Sequence, residues 1–235
     1  MGNSWWTMSI CNELRPFRAW LVALGGVACF DVQQVELPSR PERLEIDDFE
    51  AADDTPRAST FLPWSCSVWP EPSRVSCARG DSDLAGGRAE VVDFELRDTS
   101  DGTMDSPGLL FESHARLGDM NFTDYSAFSF RALLELGPED APRAPPLLVR
   151  FRCDGARISG ESSNGSWLET EVVLGPAWAD FQVPIETLLR PNYLLSFPRR
   201  DCLAHVGSLE LVLQSRYPDG QDLVGTLTLD DLALE

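Results

Sequence analysis

Apolar and polar residues alternate with period two along much of this chain. Val92, Phe94 and Leu96 hold one phase, and Val91, Asp93 and Glu95 hold the other. Phe128, Phe130, Ala132 and Leu134 interleave with Ser129, Arg131 and Leu133. Leu147, Val149, Phe151 and Cys153 interleave with Leu148, Arg150 and Arg152, and Leu209, Leu211 and Leu213 with Glu210 and Val212. One buried and one wet face is the mark of an antiparallel strand. Turn-forming pairs such as Asp53-Asp54, Gly86-Gly87, Gly137-Pro138, Gly175-Pro176 and Asp219-Gly220 separate the runs. One helical turn is predicted over residues 185–190, after Pro184. The pattern predicts an all-β, antiparallel β-sandwich over residues 44–235, with at most one or two short helical turns. Its first and last apolar runs, 44–50 and 227–235, each carry an Asp-Asp pair. That arrangement predicts a domain sealed by pairing its terminal strands.

Composition narrows the chemistry. Of 235 residues, 43% are hydrophobic, enough for one sizeable core. The formal charge is −19, and every one of the 19 basic residues is an arginine. Nucleic acid is excluded as a partner because phosphate binding needs a basic patch. The N-terminus predicts export. Arg15 and Arg18 precede an apolar or small stretch, 19–30, that ends in Gly25-Gly26-Val27-Ala28-Cys29. A basic segment, a short apolar run and small residues before a cut describe a secretory signal over residues 1–28. The run is too short to span a bilayer, which takes about 20 helical residues. Cys29 after Val-Ala resembles a bacterial lipoprotein box, which implies acylation of Cys29, with 29–43 as a tether and an outer-membrane or cell-surface address. Membrane contact is then expected only through that lipid. In an exported chain the remaining Cys66, Cys77, Cys153 and Cys202 predict two disulfides, with three connectivities open. Cys66–Cys77 would close a short loop, and Cys153–Cys202 would join two strand ends.

Four stretches resemble the galactose-binding-like jelly rolls, in particular the family 11 carbohydrate-binding modules and the complex I intermediate-associated proteins. They are Ile46-Asp47-Asp48-Phe49-Glu50, the run from Asn121 through Tyr125 to Arg131, Trp178-Ala179-Asp180-Phe181-Gln182-Val183-Pro184, and Leu229-Asp230-Asp231-Leu232. The segment 55–80, with two cysteines, and a proline-rich loop before Leu147 depart from the pattern as insertions. The resemblance implies a non-catalytic binding or assembly domain whose partner is a glycan or an envelope protein. It also implies, in some members, a structural calcium near the seam of first and last strands. Asp47, Asp48, Glu50, Asp230 and Asp231 are the candidate ligands, since calcium takes carboxylate oxygens.

Ligand candidates come from the polar phase of the strands. Arg131, Arg150 and Arg152, with Glu169 and Glu171, suit bidentate hydrogen bonds to paired sugar hydroxyls. Trp64, Trp69 and Trp167 are candidate stacking platforms. A polysaccharide hydrolase is the third reading, but its signals are thin. Gly80-Asp81-Ser82-Asp83-Leu84 resembles an esterase nucleophile block without its Asp-x-x-His partner, since Asp201 and His205 are four apart. A serine with no base to take its proton is unreactive.

Overall fold

A computed structural model of the chain describes residues 43–51, 55–82, 87–97, 107–137, 144–153, 166–191, 197–214 and 222–235. The expected signal, Cys29 and most of the tether lie outside the described residues. Eleven strands occur among those described: β1 Leu44–Asp47, β2 Ser65–Trp69, β3 Arg74–Ser82, β4 Gly87–Leu96, β5 Gly108–His114, β6 Ala127–Leu136, β7 Leu147–Cys153, β8 Trp167–Val172, β9 Ala179–Pro184, β10 Val206–Gln214 and β11 Leu223–Leu234. A 3-10 turn covers Ile185–Thr187, shorter than the predicted helical turn, and one short helix, α1, covers Arg199–Ala204. One sheet runs β3-β4-β11-β6-β9 with β1 also paired to β11, and the other runs β2-β5-β10-β7-β8; every pairing is antiparallel. The two inner faces enclose the core, in which Phe122 and Phe128 meet Phe151 edge-on at 5.2 and 6.0 Å between ring centres.

The terminal strands do seal the sandwich. Leu44 pairs with Leu234, Glu45 with Ala233 and Asp47 with Leu232. Long β11 therefore has β4 and then β1 along one side and β6 along the other. The register with β6 slips between Asp230 and Ala233, and Asp231 has φ of 53°. This is a bulge, which inserts an extra residue and resets the alternation. Leu227 and Leu229 are buried before it and Leu232 and Leu234 after it. Asp and Asn tolerate the left-handed region better than other residues with side chains, which gives the Asp-Asp pair a structural reason.

The segment read as an insertion is instead part of the sandwich. Residues 55–80 contain β2 and most of β3, which lie in different sheets, and the Cys66–Cys77 disulfide ties the two sheets together along that edge. A second disulfide, Cys153–Cys202, joins the end of β7 to α1 rather than to another strand.

Candidate ligand-binding face

Antiparallel register fixes what the five-stranded sheet shows on its outer side. Leu109, Phe111, Leu147, Val149, Phe151, Leu168, Leu209, Leu211 and Leu213 fill the inner side. The alternate positions form rows across the strands. One row reads Ser65, Glu112, Glu210, Arg150, Glu169 from β2 to β8. The next reads His114, Ser208, Arg152, Trp167. On the other side lies an apolar row, Leu110, Val212 and Leu148, flanked by Ser67 and Glu171. Cross-strand neighbours sit roughly 4.5–5.5 Å apart at Cβ, so each row is a continuous strip.

Glu210 is the centre of the charged strip. It is only 1% exposed although it points away from the core, because Arg150 and Arg152 reach over it. Its two oxygens accept from the Arg150 and Arg152 Nη1 atoms, each at 3.4 Å, and the Ser208 hydroxyl donates to it at 3.1 Å. Arg150 also donates through Nε to Glu169 at 3.1 Å, and its guanidinium lies 4.7 Å from the Trp167 ring centre. The Trp167 indole N–H donates to the same Glu169 oxygen at 3.0 Å. On the other flank, His114 lies 3.3 Å from Glu112. The result is a set of forked donors and carboxylate acceptors held in fixed rotamers beside an indole ring. Such a strip can hydrogen-bond adjacent hydroxyls while the ring packs against the C–H face of a sugar.

The structure thus brings Arg150, Arg152, Trp167, Glu169 and Glu171 onto one face, and adds Glu112, His114, Ser208 and Glu210. It separates three other candidates from them. Arg131 is on β6, on the outside of the opposite sheet, where it faces Asp180 at 3.2 Å and the Trp178 ring at 5.2 Å. Trp64 packs between the sheets, stacked on Phe111 at 4.6 Å, with its N–H donated to Asp47. Trp69 is on the correct face but at its far corner, at the β2 edge, with its ring lying over Gly108. A Cβ there would fall 2.3 Å from the ring, so glycine is required for that packing.

The five acids of the expected calcium site do not converge. Asp47 points inward to Arg79, at 2.6 Å, and accepts the Phe49 amide at 3.0 Å. Asp48 pairs with Arg57, and Glu50 accepts the Arg88 amide. Asp230 and Asp231 face outward, each 3.7 Å from Arg131. Burial pushes the Asp47 carboxyl up, against the pull of the Phe49 amide and Arg79. Burial and the neighbouring Asp231 charge push Asp230 up to about 6. Calcium needs about six to eight oxygens around one point. Among the described residues no three His, Cys, Asp or Glu side chains are arranged to hold a metal ion. The five acids bond arginines and backbone N–H groups instead, an arrangement that does not fit calcium. The esterase-like block fares similarly: Gly80 to Ser82 end β3 in register with Gly87 to Ala89, and His205 is held by Asp119 at 2.6 Å.

No protein-family model and no curated protein matches the sequence. Solved structures do match. A family 11 carbohydrate-binding module from Clostridium thermocellum, in complex with a β-1,3-1,4-mixed-linked tetrasaccharide, superposes with a TM-score of 0.51 at 12% identity, over 82% of this chain and 94% of that one. The family 11 module of a cellulosomal cellulase from the same organism gives 0.51 at 12%, over 82% and 93%. The chain shares the two-sheet antiparallel β-sandwich fold of these modules. At that identity the likeness fixes the architecture and leaves the ligand to be argued from the face itself.

Proposed function

We propose that this chain is a non-catalytic carbohydrate-binding domain that takes a glycan on the outer face of the five-stranded sheet. The observation that carries this reading is the in-register strip Glu112, Glu210, Arg150 and Glu169 beside Trp167. It sets the forked donors of Arg150 and its neighbour Arg152 among carboxylate acceptors, groups that suit sugar hydroxyls. The jelly-roll likeness supports it, since one structural neighbour is held with a mixed-linked tetrasaccharide. The wider proposal is an exported module anchored through Cys29, presenting this face at a bacterial cell envelope.

Affinity electrophoresis and titration calorimetry against soluble polysaccharides, with mixed-linked β-glucan first, test the reading. At least one glycan is expected to bind, and Arg150→Ala and Trp167→Ala are expected to abolish that binding while the protein stays folded. Failure of every glycan on a broad array would sink it, and capture of an envelope protein in their place would favour the assembly reading. Labelling with a fatty-acid analogue, absent in Cys29→Ala, tests the anchor separately.

A further inference from the structure

A second polar groove lies on the flank of the sandwich, away from the face described above. The loop leading into β6, the end of β9, the 3-10 turn and α1 enclose a hollow of about 520 Å³ that includes Thr123, Tyr125, Gln182, Arg199 and Leu203. A neighbouring hollow of about 420 Å³ shares Thr123, Arg199 and Leu203 and adds Arg200 and Asp124. Both volumes fall within the roughly 300–1,000 Å³ usual for small-molecule sites.

The arginines here differ from those of the carboxylate networks, and Arg199 resembles Arg88 and Arg116 in bonding a backbone carbonyl. Arg57, Arg79, Arg97, Arg131, Arg150 and Arg152 all face carboxylates. Arg199 instead donates one Nη to the Ile185 carbonyl. Arg200 is exposed, and among the described residues it has no ion-pair partner. Arg199 and Arg200 both line the second hollow, where an incoming anion can accept from their guanidinium groups. Two guanidinium groups on one hollow suit a carboxylate or a phosphate, and the acids at its edge favour the singly charged carboxylate. The surrounding groups add the rest of the specificity. The Thr123 and Tyr125 hydroxyls and the Gln182 carbonyl, whose amide N–H already donates to Glu235, suit ring hydroxyls. Leu203 and Ile185 give the groove an apolar floor. Glu186 and Asp124 stand at the rim and disfavour a ligand with more than one closely spaced charge.

We propose that this groove is a second ligand site, independent of the outer face, that takes a hexuronate. Its carboxylate sits against Arg199 and Arg200, and its hydroxyls meet Thr123, Tyr125 and Gln182. The test is an amide-shift titration of the ¹⁵N-labelled full-length chain with digalacturonate, its methyl ester and inorganic phosphate. Digalacturonate is expected to shift Thr123, Tyr125 and Leu203, and to weaken by at least about tenfold in Arg200→Gln, an exposed change that leaves the fold alone. Arg199→Gln is expected to lose the shifts altogether. Equal binding of the methyl ester, the same shifts from phosphate, unchanged affinity in Arg200→Gln, or no shift up to about 10 mM each overturns the proposal. Shifts confined to β7, β8 and β10 also overturn it, and place acidic sugars on the outer face.

Discussion

Two arginine–carboxylate networks in this sandwich use the same chemistry at different depths. Between the sheets, Arg79 and Asp47 meet at 2.6 Å with side chains 2% and 1% exposed, with Glu90 3.9 Å from the same guanidinium. The Trp64 N–H, the Phe49 amide and the Phe49 ring, 5.2 Å from the guanidinium, complete that shell. On the outer face, Arg152 reaches Glu210 at 3.4 Å while its own side chain stays 39% exposed. The inner network is closed to any outside partner. The outer one keeps donors and acceptors at the surface, where a ligand can take over part of the bonding. Depth, not residue type, separates a network that holds the seam from one that can recognise.

The largest effect is expected from opening the inner network. Arg79→Met leaves Asp47 buried without its cation, and losing one partner of a buried pair costs about 3–5 kcal/mol. Denaturant unfolding reads this directly, and a loss under about 1 kcal/mol would show that the inner cluster does not hold the seam. Glu210→Gln tests the intermediate case. Its carboxylate is buried beneath two guanidiniums, so removing the charge is expected to cost about 1–3 kcal/mol and also to weaken glycan binding. Loss of binding with unchanged stability would mean that Glu210 belongs wholly to the exposed class.

Asp230 sharpens the comparison through pH. Its folded-state carboxyl titrates at about 6, above the 3.8 of an ordinary aspartate, so the folded chain binds the extra proton between those values. Stability from this group is full at about pH 4 and below, and is lost as pH rises through about 6. Asp230→Asn removes the loss. The variant is expected to be more stable by about 1–2 kcal/mol at pH 7.5, with the gap closing towards pH 4. Thermal melts at the two pH values check it, and a gap that persists at low pH would point to packing in place of charge.

The architecture was legible wherever alternation was clean. β4, β6, β7 and β10 each carry three or more apolar residues on one phase and at least one charged residue on the other, and their inner and outer phases are those of the sequence. β5 escaped because only Leu109 and Phe111 mark its inner phase, which ends in the buried Ser113, while Leu110 stands on the wet one. β2 and β3 escaped because they are a short edge strand and a strand whose inner phase is Val75, Cys77 and the buried Arg79. With β5 missing, Glu112 and His114 could not be placed on the candidate face. Arg131 shows a different limit. Alternation assigns a residue to the polar phase of its strand but does not say which sheet the strand joins. Asp47 and Asp230 show a third: sequence brings the acid pairs together at the seam, but Asp47 stands opposite the inward Leu232 and Asp230 opposite the outward Arg131.

Arg152→Ala is the smallest change in stability and the most direct test of the contrast between depths. The side chain is over a third exposed, and Glu210 keeps Arg150 and the Ser208 hydroxyl as donors after it is removed. An exposed pair of this kind contributes about 0–1 kcal/mol, so the melting transition is expected to move little. Glycan affinity is expected to fall by about tenfold or more, because a forked donor facing a hydroxyl is lost from the strip. Calorimetry and a thermal melt on the same preparation give both numbers. If stability falls by several kcal/mol and affinity does not change, the outer network is as structural as the inner one, and recognition on this face is lost with it.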